Sequence, residues 1–320
     1  MMHKSATKPR IDICIATYKR PDLLRKLLLS LITQETGEEF SFTIIVADND
    51  AQRSAETTVR EFQTNGQRII YDVEPEQNIS LARNRSLSHA TGDYIATIDD
   101  DEYADSQWLL NLYKTMISYN ADVVHGPVSS VFHEKTPDYI RKSRVSDRAN
   151  PPTGTEDYIC HTGNSLFRRR LIENMATPFD PGLGRTGGED TDFFENLRRQ
   201  GYKMVWCREA RVFEFVPLER ANLLWILKRN FRIGNTWHHL FDRGPFNTNL
   251  SREWEILYIL KDLAILGCAV PFYTICGIFN LQRRRDYYAV EVINRLESIA
   301  FYTGIIAYFL GLRYEEYRKS

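Results

Sequence analysis

The feature that most constrains this chain is a rhythm. Over its first 130 residues, short apolar runs alternate with stretches of helical apolar spacing. IDICIAT (11–17), FTIIVADND (42–50), RIIYDV (68–73), DYIATID (93–99) and DVVHGPV (122–128) are short and rich in β-branched residues, as strands are. Residues 21–33 carry Leu23, Leu24, Leu27, Leu28 and Leu31 at helical intervals, and 55–65, 80–90 and 106–119 also read as helices. This alternation predicts an α/β fold: a mostly parallel sheet with helices on both faces. Ligands of such sheets sit beyond the carboxyl ends of the strands. Asp48 and residues 99–101 fall at such ends.

The fourth run ends in TIDDDEYAD (97–105), which crowds Asp99, Asp100, Asp101 and Glu102 together. Repulsion raises the pKa values of neighbouring carboxylates and costs stability. A divalent cation would offset that cost, since hard cations prefer oxygen ligands. The plainer alternative is a solvated acidic turn capping the helix that begins near Asp105 and Ser106. On a continuing strand, Asp99 and Asp101 would project the same way and Asp100 elsewhere. Such a pair can hold Mg2+ or Mn2+ and leave positions for substrate phosphates. An EF-hand is a poor fit, because the sixth position counted from Asp99 is Ala104 and the twelfth is Leu110.

A second acidic cluster, GGEDTD (187–192), sits inside the Gly-rich stretch GLGRTGGEDTDFFENLRRQG, which reads as a loop feeding a helix. Its glycines allow a backbone to approach a ligand closely. Glu189 and Asp190 open the helix, where the dipole favours ionised carboxylates. An ionised aspartate at a cleft mouth can serve as a general base; an ordinary helix cap is the alternative. Before this cluster, residues 130–152 are polar and contain prolines, as expected of a loop over the site, and 159–169 reads as a strand. Two further short strands are expected at 203–207 and 210–216.

Composition bounds the function classes. With 320 residues, 43% of them hydrophobic, the chain can bury one large core or two modest ones. A net charge of −1 gives no bias toward nucleic acid. Cys14, Cys160, Cys207, Cys268 and Cys276 show no metal spacing and read as buried thiols of a reducing cytosol. The polar start MMHKSATKPR carries no secretory signal.

Four motifs in order, IATYKRPDLLRKLL, VADND, ISLARNRSLSHATGDYIATIDDDE and GGEDTDFF, resemble the family-two glycosyltransferases with the GT-A fold, over roughly residues 10 to 240. IDDDE, GPV, HTGNSLFRR, GRTGGEDT, EFVPLER and RNFRIGNT suggest the succinoglycan-type transferases of bacterial exopolysaccharide assembly. The resemblance implies a catalytic domain over residues 1–217 and an inverting transfer of a hexose, glucose first, from a UDP-sugar. It places Thr17, Arg20, Asp48, Arg83, Asn84 and Asp100 beside the nucleotide sugar, makes Asp99 and Asp101 the Mg2+ or Mn2+ ligands, and makes Asp190 the base. Many relatives carry a His on the late strand where this chain has Glu214, so a third metal ligand is in doubt and Glu214 is left between metal and acceptor. His161, Asn164 and Glu189 are candidates for touching the acceptor, while Trp108 and Trp254 read as packing residues. A regulatory sugar-nucleotide binder and a metal-dependent phosphohydrolase are the alternatives.

The last hundred residues differ. Residues 218–240 form a basic, aromatic helix in which Arg229 and Arg232 share a face, either a solvated one or a clamp on a diphosphate. Residues 263–282 are uncharged, with Pro271 at their middle and Arg283, Arg284 and Arg285 directly after. A crossing would put those arginines outside, against the positive-inside tendency. The expectation is therefore a helical 218–320 region lying on the cytoplasmic face of the inner membrane, its arginines on anionic headgroups and its acceptor on a polyprenyl diphosphate. A buried helical hairpin or a subunit interface is the alternative.

Overall fold

The computed structural model describes residues 8–64, 66, 68–142, 150–156, 161–241, 252–279 and 285–314. The expected alternation is there. In order come β1 (Arg10–Thr17), α1 (Pro21–Ile32), β2 (Ser41–Asp48), α2 (Glu56–Thr64), β3 (Ile69–Val73), α3 (Ile79–Ser88) and β4 (Tyr94–Thr97). They are followed by β5 (Glu102–Ala104), α4 (Trp108–Ser118), β6 (Val123–His125), β7 (Val128–Phe132) and a short α5 (Asp138–Arg141). The α/β part ends with β8 (Ser165–Arg168), α6 (Glu189–Arg199), β9 (Met204–Trp206) and β10 (Val212–Val216). Three helices follow: α7 (Leu223–Phe241), α8 (Arg252–Phe279) and α9 (Arg285–Phe309).

The main sheet has seven strands in the order β3-β2-β1-β4-β8-β6-β9. Only β8 runs antiparallel to its neighbours. Its central strands are apolar on both faces because helices cover both: Ile11, Ile13, Ile15, Ile45 and Val46 are fully buried. On α1, Leu24, Leu27, Leu28 and Leu31 form one fully buried stripe, and Pro21 occupies the first turn, where its missing N–H costs nothing.

A second sheet, β5-β10-β7, stands beside the first. It exists because the run 122–128 is two strands. Gly126 separates them, since a Cβ there would lie 2.3 Å from the Ala210 carbonyl oxygen. β6 therefore stays in the main sheet while β7 leaves for the small one. The chain also leaves β4 earlier than expected, at Thr97, and the Glu102 amide closes a turn on the Asp99 carbonyl at 3.2 Å. The idea that Asp99 and Asp101 project together along a strand is thus corrected. The expected 130–152 loop contains β7 and α5, with 143–149 outside the described residues. Of the strand expected at 159–169, 157–160 lie outside the described residues, and the rest is a tight turn over Thr162–Asn164 followed by β8.

The C-terminal helices pack on this body. Ile293 of α9 joins Ile140, Val216, Ala221 and Ile226 in a small core. The Asn235 amide nitrogen on α7 donates to the Gly304 and Leu312 carbonyls at 3.2 and 2.8 Å. α8 packs along α9 and runs through Pro271 as one helix. Its segment Ile259–Cys276 has a mean hydropathy of 1.6 and is long and apolar enough to cross a membrane, yet none of its side chains is buried. Ile265, Phe272 and Ile275 are each more than half exposed. The alternative of a buried helical hairpin is therefore not what this segment of α8 forms. Arg283, Arg284 and the side chain of Trp254 lie outside the described residues.

Candidate active site

The sheet order reverses at β1, which has β2 on one side and β4 on the other. The crevice of such a sheet opens at that point. Thr17 ends β1, and its hydroxyl donates to Asp100 Oδ2 at 2.8 Å. Arg20, just before α1, places one guanidinium nitrogen 2.9 Å from Asp100 Oδ1 and 3.0 Å from Asp101 Oδ2. Arg220, on the turn into α7, donates to the same Asp101 oxygen at 3.1 Å. From α3, Arg83 donates to Asp99 Oδ1 at 2.9 Å and to Glu189 Oε1. Phe179 backs that guanidinium at 5.8 Å.

Asp190 stands half-buried in the first turn of α6, and its Oδ1 accepts from the Thr191 amide at 2.7 Å. Gly187 and Gly188 set it there, with φ of +79° and +97° that other residues rarely adopt. Arg232 from α7 lies against this turn, its Nη1 2.2 Å from where a Gly187 Cβ would stand.

The cleft holds more negative charge than its arginines neutralise. Burial pushes Glu189 up to about 7 against the pull of Arg83, and the Asp190 charge adds to the push. Burial raises Asp99 to about 6, again opposed by Arg83 and reinforced by Asp101, Asp190 and Asp100. The Asp99 side chain keeps 41% of its surface accessible, so solvent damps that shift more than it damps Glu189, whose side chain is 6% exposed. Burial also raises Asp100, with Arg20 opposing, and holds Glu102 well above the usual carboxylate range beside Asp99 and Asp101. Guanidinium groups hold one oxygen of each expected metal ligand, Oδ1 of Asp99 and Oδ2 of Asp101. A sparse carboxylate set completed by phosphate oxygens is how Mg2+ is usually held, and Asp99 and Asp101 fit that use. Among the described residues, no three His, Cys, Asp or Glu side chains gather into a ready-made cage.

Three residues expected to contact ligands have their polar atoms engaged within the fold. Asp48 is fully buried, and its carboxylate accepts from the Asp50 and Ala55 amides and the Tyr71 hydroxyl at 3.1, 2.8 and 2.9 Å. It shapes the loop after β2 and presents no open acceptor. Asn84 exchanges two hydrogen bonds with the Phe179 backbone, at 2.7 and 3.0 Å, and so anchors the segment under Arg83. Asn164 is fully buried: it accepts from Trp108 Nε1 at 2.8 Å and donates to the Pro127 and Ala210 carbonyls at 2.9 and 2.7 Å. It is a strut between the two sheets, with no face for an acceptor, and Trp108 is the packing residue expected.

Arg229 and Arg232 diverge. Arg229 stacks over Trp225 at 5.3 Å, while Arg232 reaches the Gly187 turn. His161 is half-buried before the Thr162–Asn164 turn, and Glu214 lies opposite Glu102 in the β10–β5 pairing.

Thr17, Arg20 and Asp100 share a pocket with Ala16, Tyr18, Asn49, Gln77, Asn78 and Ile79, which sequence reasoning did not name. Asn78 caps α3 through the Leu81 amide, at 3.2 Å, so the positive end of that helix borders the pocket. QNIS before a helical run carries that cap signal in the sequence. Arg220 carried none, because 119 residues separate it from Asp101.

Residues 12–175 match the family described as Glycosyl transferase family 2. The chain is 33% identical to the succinoglycan biosynthesis protein ExoM of Rhizobium meliloti over 306 residues, covering 95% of this chain and 94% of that one. It is 23% identical to glycosyltransferase AglE of Haloferax volcanii, over 72% of this chain and 73% of that one. In fold it is similar to the mannosyltransferase PcManGT of Pyrobaculum calidifontis, solved with GDP-Man and Mn2+, with a TM-score of 0.62 at 17% identity over 96% of this chain and 88% of that one. It is also similar to S. aureus TarS 1-349 solved with UDP-GlcNAc, with a TM-score of 0.51 at 14% identity, over 95% and 93% of the two chains. With the switch-point cleft and its two acidic clusters, these likenesses establish that the chain is a glycosyltransferase of the GT-A fold and belongs to glycosyl transferase family 2.

Proposed function

We propose that this chain transfers a hexose, glucose first, from a UDP-sugar to a saccharide carried on a polyprenyl diphosphate, with inversion, in the assembly of a bacterial exopolysaccharide. The observation that carries the reading is one cleft holding Thr17, Arg20, Arg83, the aspartates 99 to 101, Glu189 and Asp190 at the switch point of the sheet. The exopolysaccharide assignment is supported by the likeness to ExoM along nearly the whole chain. A nucleotide-sugar donor is supported by the neighbours solved with UDP-GlcNAc and GDP-Man, and a divalent metal by the one solved with Mn2+.

The residues divide the work. The pocket between Tyr18 and Asn78 takes the nucleoside, at the α3 N-terminus. Asp99 and Asp101 would hold Mg2+ or Mn2+ together with diphosphate oxygens, and the metal would supply neutralising charge to the leaving UDP. Asp190 accepts the proton of the acceptor hydroxyl as that oxygen attacks the anomeric carbon from the opposite face. A single displacement with one base inverts the configuration. Arg83 ties Asp99 to Glu189 beside the base, and Arg232 braces the turn that aims it.

The exposed apolar face of α8 is proposed to rest in the cytoplasmic leaflet, next to the acceptor's lipid and to the basic run at 283–285. Residues 218–320 are then the membrane-facing region and 1–217 the catalytic one. Detergent-dependent recovery with membranes, with the C-terminus protected from external protease, supports this placement; a detergent-free cytosolic protein contradicts it. The activity is tested by UDP release across a panel of sugar nucleotides with a lipid-linked acceptor. No turnover with any UDP-sugar overturns the reading, and release of inorganic phosphate makes it a phosphohydrolase.

A further inference from the structure

Two guanidinium groups hold one oxygen of Asp101, Arg20 at 3.0 Å and Arg220 at 3.1 Å, and they are held differently themselves. Arg20 is also fixed to Asp100 Oδ1 at 2.9 Å. Arg220 arrives from the turn before α7, and its other partner is the face of Trp225, 5.8 Å from the guanidinium carbon. A ring face sets no fixed hydrogen-bond geometry, so a guanidinium can pivot on it. Arg220 borders solvent, with 26% of its side chain exposed, and Arg229 lies over the same ring at 5.3 Å.

We infer that Arg220 is an exchangeable counter-ion of the donor site: it caps Asp101 while the cleft is empty and moves to the donor's diphosphate when a divalent cation takes Asp101. The inference rests on the metal-dependent reading proposed above. Cations sharing one carboxylate oxygen repel, and the one with fewer other anchors is displaced. Released from Asp101, Arg220 stays on Trp225 beside Arg229, so two guanidinium groups stand together at the cleft mouth. A diphosphate suits them, because its oxygens match guanidinium bidentately. Metal binding alone has to break the Arg220–Asp101 pair without replacement. Metal with diphosphate replaces it. The two ligands therefore bind with positive coupling, and the coupling is reciprocal.

The test is Mn2+ binding to the full-length protein in detergent, read from the EPR signal of free Mn2+, with and without UDP. In the wild-type protein UDP is expected to tighten Mn2+ binding at least tenfold. Arg220→Gln should bind Mn2+ alone about tenfold more tightly, because the competing charge is gone. It should bind UDP at saturating Mn2+ about tenfold more weakly, and so lose most of the coupling. Arg220→Lys keeps the charge and should fall between, which separates the charge effect from a folding defect. Arg211→Gln, whose partner is Asp105, should leave every affinity unchanged. Unchanged or weakened Mn2+ binding in Arg220→Gln overturns the inference, as does unchanged UDP affinity. UDP binding by the wild-type protein that ignores Mn2+ overturns the metal reading itself, and that result is visible without any variant.

Discussion

Replacing Arg83 by methionine removes the guanidinium that bridges Asp99 and Glu189 while keeping most of the buried stem. Glu189 is 5% exposed, and burial already holds its carboxyl up at about 7. A raised carboxylate contributes stability that is complete below its unfolded pKa of about 4.5 and is lost as pH rises through the folded value. Without Arg83 that folded value moves higher still. Below about pH 6 Glu189 is protonated in both proteins, so the variant should lose only neutral hydrogen bonding, about 1 kcal/mol. Above pH 7 the wild-type carboxyl ionises beside its arginine, whereas the variant's cannot. Each pH unit then adds about 1.4 kcal/mol to the difference. From pH 7 to 8.5 the additional loss is about 2 kcal/mol, for a total of about 3 kcal/mol at pH 8.5. The assay is urea unfolding of metal-free protein at pH 5.5 and 8.5, repeated in a Glu189→Gln background. There the pH-dependent part should shrink to the smaller share of Asp99, which is more exposed and held by the same arginine. A loss that is equal at the two pH values, or whose pH-dependent part is undiminished in Glu189→Gln, refutes the reasoning.

Other expectations follow from the same contacts. Asn164→Ala takes the acceptor from the Trp108 indole and a donor from the Ala210 carbonyl, while Pro127 keeps the Val212 amide, and should cost about 2–4 kcal/mol in urea unfolding while leaving the acceptor KM of the folded protein unchanged. Gly187→Ala strains a turn at φ +79° and pushes its methyl group into Arg232, so turnover should fall much further than the unfolding midpoint moves. Truncation after residue 250 strips Ile293 from its core and Asn235 of its partners, and should give an aggregating product; a well-folded soluble monomer would show that α9 is dispensable.

The main sheet was legible because its periodicity is strong. Leu24, Leu27, Leu28 and Leu31 announce α1, and the isoleucines of β1 announce a strand buried on both faces. The second sheet was not, because a three-residue β5 has no period and the β6–β7 break depends on what approaches Gly126 from Ala210. In the cleft, Arg20, Arg83 and the aspartates could be named from their motifs, but their directions could not. The chain turns after Thr97, so Asp100 and Asp101 share Arg20 while Asp99 faces α3. Asp48, Asn84 and Asn164 carry the right chemistry for ligands, and only tertiary packing reveals that their polar atoms are already committed. Arg220 is the converse case, an arginine whose meaning arises only when residues 119 apart in the chain meet.

The central claim is that Asp190 takes the acceptor's proton in a single displacement. Asp190→Asn keeps the shape of the side chain and removes its basicity. Single-turnover sugar transfer by this variant, measured alongside UDP affinity, tests that claim most directly. The account predicts UDP affinity within about twofold of wild type and transfer slower by about 10³-fold or more. Near-normal transfer would place the base elsewhere, and an equal loss of UDP affinity would make Asp190 a binding residue instead.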